Sequence, residues 1–196
     1  MKLSLFYPVN PVHINQAFGL NADYYTRFHD TFGNPLKGHQ GVDFMAVHGQ
    51  PIYAPIDGLA TYITDTHGGE GVIITTDQPY DYSGGTCWFN CIHWHLIGNT
   101  DPKYPQPFTS QVVKTGDLIG YADNTGAPYE SSGNHLHFGL CPVNQNQQML
   151  LASNGYGGCI DSMPYFNGSY ALVGKLNTLQ KLLILTLQAL LKKLLA

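Results

Sequence analysis

The sequence predicts a mainly β fold: an antiparallel sheet domain with a groove, followed by a C-terminal amphipathic α-helix. Three observations lead there. Charged residues make up only 11% of the 196, while Gly (22), Tyr (13) and Pro (12) are plentiful, a composition that favours short strands and turns over long helices. Seven short β-type runs are bounded by turn residues: Val42 to Ala46, Pro51 to Ala54, Gly58 to Thr64, Val72 to Thr76, Cys87 to Leu96, Leu118 to Ala122 and His135 to Cys141. Beyond Gly174 the pattern changes, and Leu176, Leu179, Leu183, Leu187, Leu190 and Leu194 recur at the three-to-four spacing of a helix.

Three units are expected along the chain. Residues 1–38 are aromatic-rich but interrupted by Pro8, Pro11, Gly19, Gly33 and Pro35, so they read as an irregular segment that wraps the core and frames a cleft. Residues 39–166 carry the strands. Two stretches between them, Asn99 to Ser110 with its three prolines and Ala127 to Asn134, read as loops, and loops beside a rigid sheet are where substrate contacts usually reside. Residues 167–196 form a linker and the helix. Charge separates this tail from the body: residues 1–161 hold five Lys/Arg against thirteen Asp/Glu, whereas 162–196 hold four lysines and no acid. A greasy basic helix suits contact with an anionic membrane, an oligomerisation seam, or docking on its own domain.

Composition also excludes. A formal charge of −4 without a basic stripe argues against nucleic acid as a partner. The apolar run at the N-terminus ends too soon for a secretory signal, and no run of transmembrane length occurs in the body, so extracellular action would need a phage-type release or a signal already removed. Four cysteines are too few for a disulfide scaffold and match no zinc knuckle. Cys87 and Cys91 on one strand would lie roughly 13 Å apart, too far to pair. For Cys141 and Cys159 a bridge and two buried thiols both remain open.

The histidines carry the chemistry. In Gly133-Asn134-His135-Leu136-His137-Phe138-Gly139 two imidazoles would share one strand face, roughly 6 to 7 Å apart. In His39-Gln40-Gly41-Val42-Asp43 a turn would add a nitrogen and an oxygen ligand. Two histidines and a carboxylate leave the fourth position of a tetrahedral zinc open, as in hydrolytic sites. Cys91-Ile92-His93-Trp94-His95-Leu96 supplies two more histidines, expected on one strand face and suited to proton handling near neutral pH. His13, His29, His48 and His67 match no such pattern, and Glu70 between glycines reads as an exposed turn residue.

These motifs, in this order, resemble the lysostaphin/LytM-type zinc metallopeptidases, which cut peptide cross-links of bacterial peptidoglycan. The HxxxD motif is His39 to Asp43, followed by Gly49-Gln50-Pro51-Ile52-Tyr53-Ala54-Pro55-Ile56-Asp57-Gly58. His95-Leu96 matches the family's HL motif. Val113-Lys114-Thr115-Gly116-Asp117-Leu118-Ile119-Gly120 and Asn124-Thr125-Gly126 precede the terminal HxH, His135-Leu136-His137. The resemblance covers about residues 39–140 and implies a duplicated hybrid-motif-like β fold. It further implies one Zn2+ held by His39, Asp43 and His137, with His95 and His135 orienting water and stabilising the tetrahedral intermediate; strand geometry alone chooses neither between His135 and His137 nor between His93 and His95. His93 is a second-shell candidate. Asn134 where the family commonly has Pro, a Pro-rich insertion after His95, and Cys87 and Cys91 flanking the central strand are departures that bear on substrate preference.

The expectation is a zinc-dependent endopeptidase acting at the bacterial cell wall, with peptidoglycan as its partner and a phage or prophage lysin as one setting. An inactive envelope-binding or activator module and a zinc amidase are the alternatives.

Overall fold

All seven expected runs form strands, because each alternates a core-facing with an outward side chain or is apolar enough to be covered on both sides. The structure is a computed structural model and describes residues 1–30, 32–98, 101–105, 109–127, 131–171 and 186. In chain order the strands are β1 Leu5–Tyr7, β2 Ile14–Gln16, β3 Val42–Met45, β4 Pro51–Tyr53, β5 Gly58–Asp65 and β6 Gly69–Thr76. They continue with β7 Tyr80–Tyr82, β8 Gly85–Leu96, β9 Ser110–Val113, β10 Leu118–Tyr121, β11 His135–Val143 and β12 Phe166–Tyr170. A single helical turn, α1 Ala22–Tyr25, and a 3-10 turn at Met163–Tyr165 are the helical elements with described bounds, and Ala171 and Thr186 are also helical. Apart from Thr186, the leucine-rich C-terminal helix expected from the sequence lies outside the described residues, and no helix among those described is long and apolar enough to cross a membrane.

The main sheet runs β2-β3-β11-β8-β6-β5-β9, with β7 added to β8, and every pairing in it is antiparallel. β8 and β11 lie at its centre. One face is the core, where Phe44 of β3, Leu136, Phe138 and Leu140 of β11, Phe89 and Cys91 of β8, and Val72 and Ile74 of β6 are buried together. Over this face lie two small sheets. In the first, β1 pairs in parallel with β12, and Phe166 packs on both Phe44 and Phe138 at ring separations of 5.8 and 5.5 Å. In the second, β10 pairs with β4, burying Ile52 and Ile119 with Leu96. The strands the sequence did not reveal, β1, β2, β7, β9 and β12, have three to five residues each, and length alone does not separate them from β3, β4 and β10, which have three or four.

Asp57 ties two motif segments together. Its carboxylate accepts hydrogen bonds from the Thr115 backbone N–H (2.8 Å), the Thr115 hydroxyl (3.0 Å) and Lys114 Nζ (2.9 Å). The Gly49 to Gly58 and Val113 to Gly120 stretches therefore act as scaffold rather than as site.

Cys141 and Cys159 form a disulfide, which resolves the two readings left open by the sequence, while Cys87 and Cys91 on β8 are free and buried. Burial alone pushes the Cys91 thiol up to about 12, and it also raises that of Cys87. Since the thiolate is the reactive species, iodoacetamide at pH 8 should leave both residues unmodified in the native chain. After unfolding without reductant, mass spectrometry should find two alkylated cysteines, and four after reduction.

Candidate metal centre

Antiparallel register assembles the site on the sheet face opposite the core. Leu136, Phe138 and Leu140 take the core face of β11, so His135 and His137 point the other way. Across the β3–β11 ladder His137 stands directly opposite Asp43. His39 joins them through the turn at Gly41, where a Cβ would lie 2.6 Å from His137 Nε2 and from the Phe138 carbonyl oxygen, a space only glycine leaves open. A Cβ on Gly38 would likewise sit 2.4 Å from the Gly19 carbonyl oxygen, so the chain before His39 also depends on a close backbone approach.

His39 Nε2, His137 Nδ1 and Asp43 Oδ1 close a triangle with edges of 3.0, 3.0 and 3.2 Å. Ligand atoms about 2.0–2.1 Å from a tetrahedral zinc stand about 3.3–3.4 Å apart, so the donor set has nearly the span such an ion requires. The three side chains form a group that could hold a metal ion. His39 Nδ1 lies 3.3 Å from the Ala17 carbonyl oxygen, the kind of outer contact that fixes ring orientation and tautomer in a metal-binding histidine.

His95 and His135 stand beside this triangle. Their ring centroids are 4.5 Å apart, and His135 Nε2 is 3.7 Å from Asp43 Oδ1. His135 Nδ1 bonds the Gly133 carbonyl oxygen at 2.7 Å, and His95 Nδ1 bonds that of Thr125 at 2.7 Å. With Nδ1 engaged in each ring, Nε2 is the nitrogen left for the cavity.

The expectation that His93 and His95 share a face is corrected. Glu70 pairs with Leu96 and Gly71 with Trp94, leaving His95 as an extra residue in β8 with φ of 65°. This β-bulge breaks the two-residue alternation. His93 continues the core face of Cys87, Phe89 and Cys91; it is fully buried, bonds the Val72 carbonyl through Nδ1 at 3.1 Å and packs edge-on against Phe138. The structure thus does not bring His93 to the site.

The electrostatics match a set of metal ligands. Burial raises the pKa of Asp43, but hydrogen bonds from His137 and His39 outweigh it and hold the carboxyl well below the usual range. Burial pushes the His137 pKa down despite the Asp43 hydrogen bond, and burial, aided by His137 and His135, pushes His95 down to about 3. The Asp43 carboxylate is thus held ionised and the His137 ring neutral, the protonation states that metal binding demands.

The cavity over the triangle is lined by Tyr24, Tyr25, Phe28, Gln40 and Trp94 together with the site histidines and Asp43. On the other side of Asp43, Asn15, Gln16, Ser132 and Asn134 line a polar extension. The sequence pointed to this lining through the aromatic-rich residues 1–38, the loop at Ala127 to Asn134 and the departure at Asn134, and singled out none of the others individually. Glu70 is not an exposed turn residue: it lies within β6, partly buried, and accepts a hydrogen bond from the Tyr62 hydroxyl. Of the histidines outside the motifs, His48 pairs with Asp123 at 2.8 Å and stands apart from the triangle.

Removing His39, Asp43 or His137 to Ala should lower zinc bound per chain, measured by atomic absorption. Gly41→Ala should do so by at least about tenfold, since the methyl group displaces the His137 ring. His93→Leu should leave zinc content unchanged.

No family model matches the chain. It is 30% identical over 103 residues to a protein of Haemophilus influenzae described as an uncharacterized metalloprotease, a match that covers 53% of this chain but 18% of that one. The chain thus spans about a fifth of that relative's length. Among solved structures it is similar to a zinc-containing peptidase from Vibrio cholerae, at 22% identity with a TM-score of 0.54, covering 83% of this chain and 40% of that one. It is also similar to the antimicrobial peptidase lysostaphin from Staphylococcus simulans, at 18% identity with a TM-score of 0.51, covering 85% and 53%. With its motifs meeting on one sheet face, this chain has the fold of the lysostaphin/LytM-type peptidases and carries their ordered motif set.

Proposed function

We propose that the protein is a zinc-dependent endopeptidase that hydrolyses peptide cross-links or bridges of bacterial peptidoglycan, acting at the cell wall. The observation that carries this reading is the triangle of His39, Asp43 and His137 with two further imidazoles, His95 and His135, beside it. A bound zinc supplies a Lewis acid that polarises the scissile carbonyl and makes water acidic enough to attack near neutral pH. The chain's own groups do the rest. His95 and His135 present Nε2 toward the cavity; as a neutral base, one of them takes the proton of the attacking water, and the imidazolium so formed donates to the developing oxyanion and then to the leaving amine. Tyr24, Tyr25, Phe28 and Trp94 hold the substrate chain and narrow the access of bulk water to the reacting carbonyl.

For the basic, leucine-rich tail the reading is contact with anionic lipid. Its support is the four lysines without an acid and the helical leucine period in residues 162–196.

Chelation should abolish digestion of purified peptidoglycan, and adding zinc should restore it; full turnover in exhaustively metal-free protein would reject the assignment. Mass analysis of the released muropeptides should show new amino termini within stem or bridge peptides. Detached intact stems would instead mark an amidase, and no products at all an envelope-binding module. His95→Ala and His135→Ala should keep the metal while lowering turnover by roughly 10² or more. A peptide covering residues 175–196 should gain helicity by circular dichroism on anionic vesicles, and unchanged spectra would reject the membrane contact.

A further inference from the structure

The bulge that turns His95 toward the site is occupied by a single side chain from another segment. Thr125, in the strap that follows β10, donates its hydroxyl to the Leu96 carbonyl oxygen at 2.7 Å and accepts the Glu70 backbone N–H at 3.1 Å. Glu70 and Leu96 are partners across the β6–β8 ladder, immediately beside the unpaired His95. The hydroxyl therefore stands between two groups that could otherwise bond each other directly. The carbonyl of the same residue receives the His95 Nδ1 bond. The strap is fixed on both sides: the Asp123 N–H donates to the His95 carbonyl, the His135 N–H donates to the Asp123 carbonyl, and a Cβ on Gly69 would lie 2.4 Å from the Thr125 carbonyl carbon.

We propose that Thr125 is a positioning residue for His95, whose hydroxyl wedges the β8 bulge open and whose carbonyl holds the imidazole with the proton on Nδ1 and Nε2 toward the cavity. A left-handed backbone is unfavourable for a non-glycine residue, so His95, with φ of 65°, needs such a brace to keep this conformation. Without the hydroxyl, Glu70 N–H and Leu96 C=O can close on each other, the bulge slides, and the ring turns toward the face that His93 occupies. The inference rests on the proposed role of His95 in proton transfer.

The test compares zinc-loaded wild type, Thr125→Val and Thr125→Ser. Thr125→Val keeps the shape and removes both hydroxyl bonds, whereas Thr125→Ser keeps them. Thr125→Val should retain zinc and KM while kcat falls about 10- to 100-fold, the scale of a displaced catalytic group, and Thr125→Ser should recover kcat to within about threefold of wild type. In parallel, 15N NMR of the histidine rings should show the Nδ1–H tautomer for His95 in wild type and its loss or averaging in Thr125→Val. Wild-type kcat in Thr125→Val, or a lowered kcat with unmoved His95 signals, would overturn the proposal. So would an Nε2–H tautomer in wild type, a measurement that decides the matter even if Thr125→Val does not fold. A wild type without peptidase activity would reject the proposed function but not the positioning, which the His95 tautomer reads independently.

Discussion

The pairing of β11 between β3 and β8 is the constraint on which the rest of this structure depends. On one side it sets His137 opposite Asp43, and on the other it sets His137 opposite Trp94, the residue before His95. Residues nearly a hundred positions apart in the chain are thereby placed within hydrogen-bond distance. The same strand carries Leu136, Phe138 and Leu140 into the core. Because the side-chain period of a strand is two, a slip of one residue would bury the two histidines and expose the three apolar side chains. Burial of the core thus fixes the register, and the register fixes the site; stability and geometry are not separable here.

At β8 the same logic meets an exception. A strictly alternating strand would send His95 to the face where His93 already packs on Phe138, away from the triangle. One extra residue with positive φ reverses the direction of the side chain, while Leu96, immediately after it, returns to the core. The local conformation is unfavourable for a histidine, and strain of this sort persists where surrounding contacts over-determine it. Those contacts come from the strap at Ala122 to Gly126, which bonds both flanks of the bulge.

Elsewhere the conserving of geometry falls to groups that touch no candidate ligand. Asp57 binds the turn at Lys114 and Thr115 to the start of β5, and the disulfide from Cys141 to Cys159 holds the segment after β11 against the sheet. Phe166 of β12 closes the core over Phe44 and Phe138, so the core beneath the site draws on both ends of the described chain. The cavity is aromatic on one side and amide-rich on the other.

The sequence by itself determined the β class and seven of the strands, because a two-residue period and turn residues at its ends are properties of the chain, and its ordered motifs, through the family they resemble, pointed to His39, Asp43, His95, His135 and His137. It also carried the scaffold segments around Asp57 and Thr115 as recognisable stretches. Only the tertiary structure decided that His93 and His95 part company, since the bulge arises from pairing with β6 and bracing by Thr125, neither of which is local. The pairing of Cys141 with Cys159 was decided the same way, by the return of residues 141–159 onto β11. So were the short strands β1 and β12, whose residues are extended because they find each other across the core. Local pattern records which side chains face the same way along an unbroken strand; where partner strands break that regularity, direction is set by contacts the sequence does not order.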